Sequence, residues 1–265
     1  MGYDGTVQLH SAQLQDLLTR PAQVVYKDDH RTAVYAVEAA DGHVWVVKRF
    51  RHPQWLQALK WAVRAHPAQR ETRRVRQLKA LRLPVTPIVA TTMRWSATGG
   101  VGYCVLPYMG ESVYRLLNRN LLTAPAQRRA LAQKLADLTA GLIRHGLIHA
   151  DYKTSNILLN ERGELWLIDT DRVAASRDRQ RILNMLATLD ETAVRARVSR
   201  TERWRFLKAL LQQVELGDVR QIVAIITRGS EAKRLVTNVA GGHAQPTATT
   251  PQRGPVTTDQ APARV

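Results

Sequence analysis

Two periodicities divide this chain. Up to about position 106 its apolar residues come in short, often β-branched runs; beyond position 124 they recur every three or four residues. Val24-Val25-Tyr26 and Thr32-Ala33-Val34-Tyr35-Ala36-Val37 read as strands. Asp41-Gly42 is a hairpin signal, and Val44-Trp45-Val46-Val47-Lys48-Arg49-Phe50 reads as a third, buried strand. Residues 68–81 carry Val75, Leu78 and Leu81 as a helical stripe. Residues 88–93 and 101–106 read as two further strands around Gly99-Gly100, and Pro107-Tyr108-Met109-Gly110 breaks the pattern. Leu131, Leu135, Leu138 and Leu142 mark a long, core-packed helix over 124–145, stopped by Gly146. Two short apolar strands, Ile157-Leu158-Leu159 and Leu165-Trp166-Leu167-Ile168, flank the turn-forming Asn160-Glu161-Arg162-Gly163. Helical spacing returns near 181–189, 202–214 and 219–227. Residues 238–265 are rich in Gly, Pro, Thr and Ala with few large apolar side chains, and disorder is expected there.

This order of elements predicts an α+β chain. A β-rich part over 1–106, with a five-stranded antiparallel sheet and one helix, meets a mainly helical part over 107–237, followed by a tail over 238–265.

Composition narrows the partners. Thirty-nine Lys and Arg against 22 Asp and Glu give a formal charge of +17 over 265 residues. Such a charge favours polyanions: nucleic acid, anionic lipid or a phosphorylated glycan. The single cysteine, Cys104, sits in an apolar run as a core residue and allows no internal disulfide, as in a reducing cytosol. No run of about eighteen apolar residues is present. The start, Met1-Gly2-Tyr3-Asp4-Gly5-Thr6, lacks the pattern of a secretory signal and matches an N-myristoylation pattern only by chance.

The candidate chemistry is concentrated in His149-Ala150-Asp151-Tyr152-Lys153-Thr154-Ser155-Asn156 and in Asp169, at the end of the second short strand. This spacing, H-x-D-x-K-x-x-N and then strand, turn, strand and Asp, holds the groups that phosphoryl transfer from ATP requires. Asp151 is a carboxylate, ionised at neutral pH, suited to take or orient the proton of an acceptor hydroxyl. Lys153, two residues on, points the same way on an extended loop and can neutralise charge on the moving phosphoryl group. Asn156 and Asp169 offer hard oxygen ligands for Mg2+ at the open ends of paired strands. His149 is expected to brace the loop by hydrogen bonding rather than touch substrate. Asp and Asn in loops most often only form turns. Here five polar positions and two strands fall in register, which turn formation alone does not require. Asp171 stays open between a second metal ligand and a turn residue.

Upstream, Lys48 inside a buried strand needs a partner. Glu71, early in the 68–81 helix, can supply it if that helix lies on the sheet, forming the ion pair with which kinases hold ATP phosphates. The alternative is a lysine that snorkels to solvent, with Glu71 on a solvated face. In a cleft of this kind adenine bonds to the backbone near Pro107. A proline offers a carbonyl but no N–H, so Met109 has to supply the donor.

These residues resemble the protein-kinase-like superfamily and, more narrowly, the bacterial lipopolysaccharide kinases that phosphorylate Kdo or heptose in the inner core. The narrower likeness rests on three features. Ile168-Asp169-Thr170-Asp171-Arg172 is similar to that family's I-D-x-D form of the metal motif. Arg70-Glu71-Thr72-Arg73-Arg74, leading to Leu81-Arg82-Leu83-Pro84-Val85-Thr86-Pro87, looks like its helix running into a proline-bounded turn. The third is the small helical region after the metal motif. The likeness spans about residues 24–211. It implies a two-lobed kinase-like fold, ATP and Mg2+ as cofactors, and a lipid-linked core oligosaccharide as acceptor at the cytoplasmic face of the inner membrane.

Departures from ordinary protein kinases point the same way. Ala150 stands where those carry an arginine that reads an activation-loop phosphate, and no Ala-Pro-Glu segment follows Asp169. The phosphate-covering hairpin, Lys27-Asp28-Asp29-His30-Arg31-Thr32, contains no glycine. Backbone cradling of phosphate should be weaker there, with His30 or Arg31 compensating. A small protein Ser/Thr kinase is the nearest alternative; Lys153 favours it and the missing activation segment disfavours it. Aminoglycoside-type phosphotransferases act on polycations, which a +17 protein repels. The intact set Lys48, Glu71, Asp151, Asn156 and Asp169 opposes a non-catalytic kinase-like module. Nucleic-acid binding is disfavoured because no aromatic-rich RNA motif or zinc spacing is present. The oligomeric state is not legible.

Residues 49–64 mix basic residues with tryptophans. On a helix starting near Pro53, Trp55, Leu59 and Ala62 share one face, and Lys60 and Arg64 lie on another. Such a helix either lies in an anionic lipid interface or packs beneath the Glu71 helix.

Overall fold

The computed structural model describes residues 9–52, 66–96 and 99–240. Helix α1 (Ser11–Thr19) precedes strands β1 (Val24–Asp28), β2 (Thr32–Glu38) and β3 (Val44–His52). Helix α2 (Pro67–Ala80) and strands β4 (Ala90–Ser96) and β5 (Gly99–Pro107) follow. The five strands form one sheet in the order β1-β2-β3-β5-β4, antiparallel throughout. The Asp41-Gly42 hairpin is present, with Gly42 at φ +78°, a conformation glycine reaches without steric cost.

Strand alternation decides what each face of the sheet meets. Trp45 and Val47 of β3, with Val37 and Val105, pack against Leu14 and Leu17 of α1. Phe50, Cys104 and Leu106 pack on the opposite face against Ala68 of α2. Lys48 lies between Val46 and Phe50 in the two-residue repeat, so it projects to the α2 side.

The second half is built on helices: α3 (Val113–Asn118), α4 (Pro125–Arg144), α5 (Arg179–Arg195), α6 (Arg200–Leu211) and α7 (Val219–Ala240). Leu131, Leu135, Leu138 and Leu142 of α4 join Ile182, Leu183 and Leu186 of α5, Leu207 and Leu210 of α6, and Ile222 and Ile226 of α7 in one apolar core. Two small sheets lie within this half. One orders β6 (Glu111–Ser112), β8 (Ile157–Leu159) and β9 (Leu165–Leu167), and the other pairs β7 (Leu147–His149) with β10 (Val173–Ala175). The described residues are thus a mixed helix-and-sheet protein with a five-stranded antiparallel sheet and seven α-helices.

Among the described residues the β-rich part carries two helices rather than the one expected, since Ser11–Thr19 packs as α1 on the sheet, and several boundaries also differ from the sequence reading. Strand β4 starts at Ala90, not at 88, because the chain just before it has another partner. Val85 bridges in parallel to Leu167, the Thr86 N–H donates to the Leu167 carbonyl at 3.0 Å, and the Leu167 N–H donates to the Pro84 carbonyl at 2.8 Å. Helix α7 runs well beyond 227. It continues through Gly229, whose missing Cβ allows close approach to Ala187 of α5; an added Cβ would lie 2.9 Å from that alanine's Cβ. Residues 238–240, expected within the disordered tail, are therefore helical, and the rest of that tail lies outside the described residues. The amphipathic stretch from Pro53 onward also lies outside them, while residues 49–52 belong to β3.

Gly110, between β5 and β6, has φ +116°, and a Cβ there would strike the Leu159 carbonyl oxygen and lie 2.8 Å from the Asn160 Cα. Gly110→Ala should therefore cost about 2–4 kcal/mol of stability. Urea unfolding should show a lower midpoint at unchanged slope; an unaltered midpoint would mean that this connection relaxes without strain.

Candidate active site

The α2 face of the sheet carries a buried charge cluster. Lys48 Nζ lies 2.8 Å from Glu71 Oε2 and 2.6 Å from Asp169 Oδ1. Burial disfavours the Lys48 charge, but Glu71 and Asp169 outweigh it and raise the ammonium pKa above its ordinary value. Glu71 is only 2% exposed, and burial pushes its carboxyl up against the pull of Lys48. At Asp169 burial also acts upward, but Lys48 prevails and holds the carboxyl below the usual range. Asp169 has left-handed backbone angles, φ 59° and ψ 42°, at the start of a short 3-10 turn over Thr170–Arg172. Asp tolerates this region better than most side chains, and the turn swings its carboxylate away from β9 toward Lys48.

The second cluster hangs from β7. Asp151 Oδ2 pairs with Lys153 Nζ at 2.8 Å. Asn156 Nδ2 donates to the Asp151 carbonyl at 2.8 Å and to Asp151 Oδ2 at 3.3 Å. With the amide nitrogen engaged in this way, Asn156 Oδ1 is left as the acceptor end.

His149 joins the two clusters. The Asp151 N–H donates to His149 Nδ1 at 3.2 Å. Nδ1 is therefore unprotonated, and Nε2–H donates to the Ile168 carbonyl at 3.2 Å. Burial holds this imidazole below its ordinary pKa, as a ring accepting at one nitrogen and donating at the other requires. The expected bracing role agrees with this geometry. A second main-chain tie runs from the Ala150 N–H to the Arg172 carbonyl at 2.9 Å.

Of the residues singled out from the sequence, Lys48, Glu71 and Asp169 come together in one cluster and Asp151, Lys153 and Asn156 in the other. The expected Lys48–Glu71 pair is present. Pro107 and Met109 stand apart, at the end of β5. Pro107 pairs with Trp45 in the ladder, and the next N–H, from Tyr108, is taken by the Val44 carbonyl at 3.2 Å. Among the described residues the Met109 N–H makes no hydrogen bond.

Two features were not anticipated. One is the direct contact of Lys48 with Asp169. The other is Thr192 on α5, whose hydroxyl accepts the Thr154 N–H at 3.1 Å and so anchors the loop between Lys153 and Asn156. One threonine among several on a helix, 38 residues from its partner, carries no sequence signal.

The donor set fits Mg2+. Among the described residues no three His, Cys, Asp or Glu side chains converge as a complete metal cage. What exists is all oxygen: the Asp169 carboxylate, Asn156 Oδ1, and Asp171, whose Oδ1 is buried without a hydrogen-bond partner. Mg2+ is usually held by one or two carboxylates, with water and phosphate oxygens filling the remaining positions.

A sheet lysine charge-balanced by acids from a helix and from a distant strand end, beside a loop built as this one is, places the chain among kinase-like proteins. Its family is narrower: residues 15–210 match the model of the lipopolysaccharide kinase (Kdo/WaaP) family, and the chain belongs to that family. A 3-deoxy-D-manno-octulosonic acid kinase from Stenotrophomonas maltophilia (strain K279a) is 39% identical over 105 residues, covering 38% of this chain and 39% of that protein. A protein of the same name from Xanthomonas euvesicatoria pv. vesicatoria (strain 85-10) is 38% identical over 124 residues, covering 44% of this chain and 47% of that protein. The chain spans less than half the length of these relatives.

The His149 bracing carries a pH signature. Because its folded pKa lies below the ordinary 6.5, the unfolded chain takes the proton first as pH falls. The contribution should be present above the ordinary value of 6.5 and decline as the pH falls through and below it. Urea midpoints across this window should fall for the wild type and flatten in His149→Gln. Parallel profiles for the two proteins would remove His149 from the pH dependence.

Proposed function

We propose that this protein is an ATP-dependent phosphotransferase acting on a hydroxyl of an inner-core lipopolysaccharide sugar, with Kdo rather than heptose as the acceptor. The observation that carries this is the pairing of Asp151 with Lys153 and Asn156, tied through His149 to the Lys48–Glu71–Asp169 cluster. The names of the two relatives favour Kdo. On this reading residues 1–106 form a nucleotide lobe and residues 107–237 a catalytic lobe, with the Pro107 carbonyl and the Met109 N–H facing adenine. Only residues 173–178 lie between the turn after Asp169 and α5. That leaves little room for a long segment binding a peptide, so a sugar acceptor fits better than a protein.

The chain's own groups divide the work as follows. Lys48, kept charged by its two acids, holds the nonreacting phosphates. Asp151 accepts the proton of the acceptor hydroxyl as its oxygen bonds to the γ-phosphorus and the bond to the departing ADP breaks. Lys153, near Asp151, offsets charge on the transferring group. Asn156 and Asp169 would hold Mg2+, which when bound neutralises phosphate oxygens. Asp171 remains either a further ligand or a turn residue.

A lipid-linked acceptor puts the protein on the cytoplasmic face of the inner membrane, held peripherally by its +17 charge. No described helix is long and apolar enough to cross a membrane. Residues 49–64, with Trp55, Lys60 and Trp61, are the proposed contact.

Labelled phosphate should pass from Mg-ATP to purified Kdo-bearing core glycolipid. Asp151→Ala should slow turnover by about 10²–10⁴ while retaining nucleotide binding. Asp169→Ala should weaken manganese binding more than Asn156→Ala does, because a carboxylate brings full charge and an amide only a dipole. Near-normal turnover in Asp151→Ala would overturn the assignment, and label appearing only on heptose would move the acceptor. In liposome co-sedimentation, wild type should bind anionic vesicles and a Trp55→Ala, Lys60→Glu, Trp61→Ala variant much less. Equal binding by the two would exclude that segment as the contact.

A further inference from the structure

We propose that Arg172 is an acceptor-binding residue, whose guanidinium takes the carboxylate of a sugar acid and so presents that sugar's hydroxyl to Asp151. The inference rests on the Kdo-acceptor reading above.

The backbone fixes the placement. Val173 faces His149 across the β7–β10 pair. One step further the Ala150 N–H donates to the Arg172 carbonyl at 2.9 Å, so Arg172 stands opposite Ala150. The Arg172 N–H donates in turn to the Asp169 carbonyl at 3.2 Å. Arg172 is thus held on one side by the residue before Asp151 and on the other by Asp169. Opposed residues of an antiparallel pair lie about 4.5–5.5 Å apart at Cα, and Asp151 follows Ala150 by about 3.8 Å. A carboxyl and a hydroxyl on one sugar span a gap of that order.

The side chain is free to act. Val173 and His149 are buried. Strand alternation turns the next pair outward, and Arg172 and Ala150 are both exposed. Among the described residues the Arg172 side chain makes no hydrogen bond or ion pair. The lysines of the site are occupied, Lys153 by Asp151 at 2.8 Å and Lys48 by its two acids. Arg177 lies against Gly146, at the other end of β7. The Arg172 charge is nonetheless felt in the site: at Asp169 burial acts upward, and Arg172 joins Lys48 and His149 in drawing the carboxyl down. A guanidinium on a fixed backbone, within electrostatic reach of the site and without an acid of its own, suits a carboxylate, which it can grip with two parallel hydrogen bonds.

The anion has to come from outside the chain. Ordinary protein kinases carry an arginine where Ala150 stands, and it reads a phosphate on their own activation loop. Here the arginine lies across the ladder instead, and only residues 173–178 separate it from α5. No long loop follows it to deliver an anion. The Kdo acceptor is a sugar acid, ionised at neutral pH, whereas heptose has no carboxyl. Arg172 therefore also gives the site a physical reason to prefer Kdo.

The test is steady-state transfer from Mg-ATP to three synthetic acceptors: a Kdo glycolipid, the same glycolipid with its Kdo carboxyl as the methyl ester, and the same glycolipid without its lipid phosphates. For wild type, esterification should lower kcat/KM by about 10- to 100-fold. Arg172→Ala should show a similar loss on the native acceptor and little further loss on the ester, since both changes remove one interaction. Arg172→Lys should restore part of it, a point charge replacing a fork. Arg172→Gln, which keeps most of the stem, should match Arg172→Ala, and the unfolding midpoint and the KM for Mg-ATP should stay at wild-type values. If esterification costs the arginine variants as much as it costs wild type, Arg172 does not hold the carboxylate and the kinase reading stands. A loss that vanishes on the acceptor without lipid phosphates overturns the role equally, by assigning Arg172 to those phosphates. If wild type transfers nothing to Kdo, or labels only heptose, the acceptor reading fails and this inference with it.

Discussion

A lysine ammonium held out of water between two carboxylates is the constraint on which the rest depends. Taking such ions from water costs several kcal/mol each unless they are paired with good geometry. Lys48, Glu71 and Asp169 come from β3, α2 and the end of β9, so satisfying one charge sets the relation of three elements. The neighbouring contacts are consistent with that setting. Thr72 and Thr91 share a hydrogen bond of 2.9 Å between α2 and β4, and Ala68 packs on Cys104 and Phe50. At the far end of α2 the chain pairs with Leu167 of β9, two residues before Asp169. Helix α2 is thus tied at one end to the sheet and at the other to the strand that delivers the second acid.

His149 does for the loop what Lys48 does for the sheet. It is wholly buried, and both its ring nitrogens are spent on main-chain groups, one on each side of the site. Asp151 and Asp169 belong to different loops, yet a single imidazole and the Ala150–Arg172 bond limit their relative motion. Groups held in place before substrate arrives need no reorganisation during reaction. Thr192 extends the same logic outward, linking the loop to a helix of the large apolar core.

The β1–β2 turn shows a different solution to a familiar problem. Where glycine would leave amides open, this chain closes the turn with Asp29 and neutralises the acid with Lys27. Local order is gained, and the Asp29, Arg31 and Thr32 N–H groups are taken up within the turn itself. The same chain thus keeps the Lys48 cluster while departing from kinase-like expectation in the neighbouring β1–β2 turn.

Local sequence carried much of this. The H-x-D-x-K-x-x-N spacing, the alternation of β3, the leucine repeat of α4, the Asp41-Gly42 turn and the stop at Gly146 are determined by residues within a few positions of one another. Near-neighbour sterics and periodicity act on just that range. Even the Lys48–Glu71 pair was legible, because a buried lysine demands an acid and few were near. What the tertiary structure decided involves partners far apart in the chain. Lys48 meets Asp169 across 121 residues, Thr154 meets Thr192 across 38, and Val85 bridges to Leu167 instead of extending β4. Helix α7 continues to Ala240 through a glycine that by local propensity weakens a helix, because that glycine lets it pack on α5. In each case a contact supplied by folding outweighs a weak or absent local preference, and one chain read from end to end holds no record of which distant residue will supply it.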